Sequence, residues 1–366
     1  MSDGFISESR CDSHCVQRMK SYTFASISFL LLVLNLTQGF AEDWKLLYGL
    51  RGDWKFELGD DERWSEARFD DSKWETIYAP GYWEDEGFPG YDGYAWYRKR
   101  FQADPEWKGK ALFLRLGRID DVDEVYINGK FLGRTGSFPP AYRTAYNMQR
   151  DYAIPASFLK SDGDNVIAVR VYDDELGGGI YEGKLGVYED RSALLPEVSL
   201  AGQWSFSTGD SIAWKETNFD DSRWKKILAP GYWEPQGYED HDGYAWYRTT
   251  VRIPADLASK RTILVLGNID DFDEAYVNGK LVGKTGRLGR DFGPGQSQDY
   301  QKLREYTVPS GVLRPNDVNV IAVRVYDGYR DGGIYQGPLG LVSRERYLKW
   351  KDANILPKDF FEWLFK

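Results

Sequence analysis

The sequence predicts an all-β protein built as two tandem jelly-roll β-sandwich domains. Three observations lead there. The chain of 366 residues repeats itself at an offset of 150 positions. Each copy breaks into short β-branched or aromatic runs separated by turn signals, with no long helical period. The composition is rich in aromatic residues (16%) and in Gly (38), which suits a β-rich protein with many turns and not a disordered or coiled-coil chain.

The N-terminus reads as an address. Met19-Lys20 opens a second, better start, followed by the apolar stretch Ala25–Leu36 and a small-x-small site at Gly39-Phe40-Ala41. This is the layout of a secretory signal peptide over residues 1–41, and the apolar stretch is shorter than the roughly 20 residues that span a bilayer. The expected location is secreted or periplasmic, with no membrane span in the mature chain. Cys11 and Cys15 both precede the apolar stretch, so the mature chain is expected to fold without disulfides. The net charge of −10 argues against nucleic acid as a partner, because such binding needs a basic stripe. With two histidines, His14 and His241, there is little material for a transition-metal centre or a Ser–His catalytic pair, and no cofactor is expected.

The repeat is dense. Gly52-x-Trp54-x-Phe56 recurs as Gly202-x-Trp204-x-Phe206, and Phe69-Asp70-Asp71-Ser72-x-Trp74 as Phe219-Asp220-Asp221-Ser222-x-Trp224. Ala79–Glu84 recurs as Ala229–Glu234, Asp92–Arg98 as Asp242–Arg248, and Ile119–Glu124 as Ile269–Glu274. Between Gly136 and Arg150 the second copy is longer, and Val166–Asp173 returns at Val320–Asp327. A period of this length is a domain and not a solenoid repeat. The expected domains are 43–190 and 199–345, with a linker at Ser192–Ser199 and a tail, 346–366, that has no counterpart in the first copy.

Within each copy, Asn128-Gly129 and Asn278-Gly279 mark hairpins, since Asn-Gly supplies the two positive φ angles of a type I′ turn. Asp70-Asp71-Ser72 reads as a short helix start. Strand parity puts Tyr97 and Phe101 on one face, the core, and Trp96 with Arg98 on the other. Ile167, Val169 and Val171 likewise share a face opposite Arg170 and Tyr172. The face carrying Trp96, Arg98, Arg170 and Tyr172 is either a concave, ligand-facing sheet or an Arg–Asp network beneath loops.

The ordered set Phe-Asp-Asp-x-x-Trp (69–74), Pro-x-x-Trp (80–83), Trp-Tyr-Arg (96–98), the strand ending in Asn128-Gly129, and Asn165-x-x-x-Val169 resembles the N-terminal sugar-binding domain of glycoside hydrolase family 2, the β-galactosidase and β-glucuronidase family. The resemblance implies a galactose-binding-domain-like jelly roll in both copies. It also implies that the catalytic carboxylates of such enzymes sit on a TIM barrel of roughly 250 residues, for which the residues after the second copy leave no room. The chain is therefore expected to be a non-catalytic carbohydrate-binding protein. The ligand candidates are Trp83, Glu84, Asp92, Trp96, Arg98 and Arg170, with Trp233, Glu234, Asp242, Trp246, Arg248 and Arg324 in the second copy. Two alternatives remain: an accessory or scaffold module that binds a protein partner, such as a separately encoded glycosidase or a surface protein, and a glycoside hydrolase with an unrecognised site.

Other motifs weigh less. Gly178–Lys184 imitates a phosphate-binding loop, but Leu185 stands where a Ser or Thr is required, and the segment reads as a loop closing the sandwich. Gly209-Asp210-Ser211 imitates an esterase nucleophile block without a matching Ser or His in the first copy. Asp120, Asp121 and Asp123, repeated as Asp270, Asp271 and Asp273, offer hard oxygen ligands suited to calcium and are equally suited to pairing with Arg. The loop 137–149 differs most between copies and is expected to rim the binding face.

Overall fold

The computed structural model describes residues 43–286 and 299–354. The expected signal peptide, residues 287–298 of the second copy's long loop, and the end of the tail from 355 lie outside the described residues. Among those described, no helix is long and apolar enough to cross a membrane.

The first copy contains ten strands: β1 (Trp44–Gly49), β2 (Gly52–Leu58), β3 (Glu75–Ala79), β4 (Gly93–Gln102), β5 (Leu112–Asp120), β6 (Val122–Ile127), β7 (Lys130–Thr135), β8 (Gln149–Ile154), β9 (Asp164–Asp173) and β10 (Gly179–Asp190). They form a six-stranded sheet ordered β3-β2-β4-β9-β6-β7 and a four-stranded sheet ordered β1-β10-β5-β8. The second copy repeats this strand for strand. Its members are β11 (Val198–Ser199), β12 (Gly202–Thr208), β13 (Lys225–Ala229), β14 (Gly243–Ile253), β15 (Thr262–Asp270), β16 (Phe272–Val277), β17 (Lys280–Thr285), β18 (Leu303–Val308), β19 (Asp317–Asp327) and β20 (Gly333–Ser343). The sheets are β13-β12-β14-β19-β16-β17 and β11-β20-β15-β18. The strand pairings are antiparallel, as expected of a sandwich whose strands alternate between a buried and an outer face.

Each core lies between its two sheets. In the first, Trp54, Phe56 and Tyr97 pack with Ile167, Val169 and Val171 from one sheet against Leu114, Leu116 and Val187 from the other. Trp204, Phe206, Tyr247 and Val323 meet Leu264, Leu266 and Leu341 in the second. The parity reading of β4 and β9 therefore holds on the core side. Both Asn-Gly hairpins form: Asn128 and Asn278 take positive φ, and each Asn amide is tied back to Asn165 or Asn319 at 2.8 and 2.7 Å.

One local expectation is corrected. Asp70-Asp71-Ser72 starts no helix; Asp70 accepts from the Ser72 N–H at 3.1 Å and makes a turn. The second copy also carries a short helix, α1 (Ala255–Ala258), and a longer helix, α2 (Arg344–Asn354), runs from the end of β20 into the tail. Tyr347 on α2 is buried with Leu194 of the linker and with Ile263, Val265 and Val342, and the Trp350 indole donates to the Ser192 carbonyl at 2.8 Å. The helix thus clasps the linker to the second sandwich.

A tyrosine and carboxylate rim as the candidate functional site

Beyond β3 the chain turns through Gly81–Glu84 and is held to the start of β10 by Gly81 N–H to Ile180 O (2.9 Å) and Trp83 N–H to Gly178 O (3.1 Å). Glu84 accepts from the Gly178 N–H at 3.1 Å. The second copy repeats these bonds, with Gly332 N–H to Glu234 Oε1 at 2.8 Å. A Cβ on Gly178 or Gly332 would lie 2.1 Å from the Trp83 or Trp233 ring, so only glycine permits this close approach.

The turn sends Trp83 inward and Tyr82 outward. Tyr82 stacks on Tyr181 with ring centroids 5.1 Å apart and planes 4° from parallel. Tyr232 and Tyr335 repeat the stack at 4.9 Å and 1°. Tyr82 is 38% and Tyr232 37% exposed. The Tyr181 hydroxyl donates to Tyr146 O (2.9 Å), so the loop 137–149 borders the tyrosines. Burial, then the charges of Asp120, Glu182 and Glu84, push the Tyr82 phenol up; Tyr232 experiences burial, its stacked partner Tyr335, and the charges of Asp270, Asp331 and Glu234. Carboxylates thus flank both tyrosine pairs. Sequence reasoning missed these tyrosines, although Tyr82 and Tyr181 each have a counterpart in the second copy.

Beside the tyrosines lies the β5–β6 corner. Asp120 faces Gly179 across the β5–β10 ladder. Asp121 donates its N–H to Tyr172 O at 3.0 Å, which sets it next to Asp173 at the end of β9. The Asp121 carboxylate is pinned by Tyr142 Oη (2.6 Å), the Thr144 hydroxyl and the Asp174 N–H (3.2 Å). Burial works to raise Asp121, but these donors hold it below the usual carboxylate range. Burial, with the bond to Asp121 and its charge, pushes Asp120 up to about 7. Burial and the charges of Asp120 and Asp121 push Asp173 up to about 8. In the second copy Asp270 rises to about 8 and Asp327 to about 7, burial leading in both. Glu234, also chiefly through burial, reaches about 8.

The remaining expected ligand residues lie elsewhere. Trp96 and Trp246 are 0% exposed, enclosed by Trp64, Trp74 and Tyr126 or by Trp214, Trp224 and Tyr276, so neither ring offers a face to a sugar. Arg98 is buried, with Nε on Asp71 (2.8 Å) and its other nitrogens on the carbonyls of Trp64 and Glu66. Arg248 is buried beside Asp221 and donates to Trp214 O. The segment 59–74, and its repeat, covers the face that parity had left open. Arg170 pairs with Asp60 (2.7 Å) and Glu124 (3.3 Å) and lies over Tyr94 and Phe138; Arg324 does the same with Asp210 and Glu274. The ligand-facing floor is thus corrected to an Arg–Asp network under a cover.

Trp83 and Trp233 are also fully buried and support the rim from beneath. Asp92 and Asp242 are exposed just before β4 and β14. Asp210 serves Arg324, while His241 packs on Trp233, which gives the Gly209-Asp210-Ser211 segment a structural role. Asp123 and Asp273 are corrected as cation candidates: each is buried against an Arg, Arg150 at 2.7 Å or Arg304 at 2.8 Å, and a tyrosine hydroxyl.

The family described as β-galactosidase second all-β domain matches residues 59–176 and 208–328, one stretch in each copy. A β-glucuronidase of Formosa agariphila is 33% identical over 84 residues, 22% of this chain and 7% of its own length. A β-galactosidase of Thermoanaerobacter pseudethanolicus is 31% identical over 78 residues, 21% of this chain and 9% of its own. Among solved structures, a Bacteroides uniformis β-glucuronidase is similar over 78% of this chain and 28% of its own, at 19% identity and a TM-score of 0.35. The chain therefore matches only a small part of the length of these relatives.

Proposed function

The chain belongs to the β-galactosidase second all-β domain family, and from that membership we propose that it is an exported, non-catalytic carbohydrate-binding protein. The observation that carries this reading is the parallel-stacked, partly exposed tyrosine pair set among carboxylates at the same place in both copies. An aromatic face matches the apolar face of a pyranose, and carboxylates accept from its hydroxyl groups. Sites that bind this way combine a mostly apolar platform with a few polar groups, and Tyr82 with Glu84 and Glu182 supplies that combination. Two equivalent rims on one chain raise avidity for a polymer when both can engage it.

The test is a glycan array probed with the full chain, followed by calorimetry on the best glycan with the Tyr82→Ala and Tyr232→Ala double variant. The expected result is glycan binding by the native chain, weakened tenfold or more in the variant. A chain that binds no glycan, or a variant that binds as well as the parent, refutes the reading. Capture of a glycosidase by a chain that binds no glycan would support the accessory-module alternative.

A further inference from the structure

Asp173 is fully buried, and neither of its carboxylate oxygens has a hydrogen-bond partner among the described residues. A buried carboxylate without a partner costs several kcal/mol, and this one faces two others. One oxygen each of Asp120, Asp121 and Asp173 lie within 4.8 Å of one another. The second copy reproduces the arrangement with Asp270, Asp271 and Asp327, and Asp327 Oδ2 is again buried and without a hydrogen-bond partner among the described residues. The arginine bonded to the Asp121 or Asp271 carbonyl in each copy is already committed. Arg150 gives its Nε to Asp123 and donates to the carbonyls of Ala145, Met148 and Asp121; Arg304 is bound to Asp273 and three carbonyls in the same way. Among the described residues, neither cluster has a counter-charge of its own.

We propose that each sandwich binds one calcium ion, between the carboxylates of Asp120, Asp121 and Asp173 in the first and of Asp270, Asp271 and Asp327 in the second. The donors are oxygens with no His or Cys among them, which selects a hard cation over zinc or copper. Oxygens up to 4.8 Å apart fit around an ion that sits about 2.3–2.6 Å from each ligand, whereas magnesium requires about 2.0–2.1 Å and near-ideal octahedral geometry. The ion would tie the end of β9 to the β5–β6 corner, and Tyr142 and Thr144 would hold Asp121 in position for it. The calcium test contains no sugar, so its failure and the failure of the glycan reading are distinguishable.

The experiment uses the full chain stripped with a chelator and titrated with calcium chloride alone, by calorimetry and by thermal melting. The expected result is two ions per chain and a melting temperature that rises with calcium, with magnesium at the same concentration giving a smaller shift. Asp173→Asn is expected to bind one ion, and Asp173→Asn with Asp327→Asn none. Should Asp173→Asn fail to fold by circular dichroism, Asp120→Asn, at a half-buried position, makes the same count. The absence of calcium binding and of a melting shift in the native chain at millimolar calcium overturns the proposal. So does a folded Asp173→Asn or Asp120→Asn variant that still binds two ions.

Discussion

Truncating Trp96 separates a core role from a ligand-contact role. The indole is fully enclosed. It stacks near Tyr126 at 5.8 Å, meets Trp64 edge-on at 6.2 Å, and donates to Asp60 at 3.1 Å. Removing a buried Trp side chain costs about 3–5 kcal/mol where the site cannot collapse. Collapse is restricted here because the segment above is fastened by the Arg98 bonds to Asp71, Trp64 and Glu66. Losing the hydrogen bond to Asp60 adds about 1 kcal/mol at most, since Asp60 keeps Arg170. At roughly 2–4 °C per kcal/mol for a domain of this size, Trp96→Ala is expected to lower the melting temperature of the first sandwich by on the order of 10–20 °C. Tyr82→Ala, at a partly exposed site, loses mainly its stack on Tyr181, about 0.5–1.5 kcal/mol, and should melt within a few degrees of the parent. The assay is calorimetric melting of both variants beside glycan titration. A Trp96→Ala protein that melts like the parent but binds glycan poorly would refute the assignment of Trp96 to the interior.

Two further outcomes are expected. Arg150→Met should destabilise the first sandwich by about 3–5 kcal/mol, because it leaves Asp123 buried without its charge partner; urea unfolding measures this, and a loss below about 1 kcal/mol would show that Asp123 is neutral or hydrated in the fold. The carboxyl of Glu234, ordinarily near 4.5, is pushed up to about 8 in the folded chain. A group raised in this way contributes stability that is complete below about pH 4.5 and is lost as pH rises through about 8. Glu234→Gln removes that loss, so unfolding free energies of variant and parent should diverge in the variant's favour between pH 5 and pH 9. Parallel pH profiles would contradict the raised value.

Much of the architecture was legible in the residues because its causes are local. The duplication is visible as a repeat in the chain itself, the Asn-Gly hairpins and the alternation of Tyr97 and Phe101 against Trp96 and Arg98 depend on neighbours within a few positions, and the structure reproduces each of them. Parity could place Trp96 and Arg98 on the outer face of their sheet but not say what covers it. The cover is the segment 59–74, which reaches Arg98 only once the strands have paired. The acidic run Asp120–Asp123 could be read as ligands or as partners of Arg, and the fold divides it at the β5–β6 corner: Asp123, inside β6, turns inward to Arg150, while Asp121, in the corner, meets Asp173 because its N–H bonds to Tyr172. Tyr82 and Tyr181 are far apart in the chain, and their stack exists only because the turn after β3 is bonded to the start of β10. Side-chain spacing along a strand is fixed by the backbone, so sequence determined which face each residue occupies. What stands opposite that face depends on non-local pairing, and only the tertiary structure decided it.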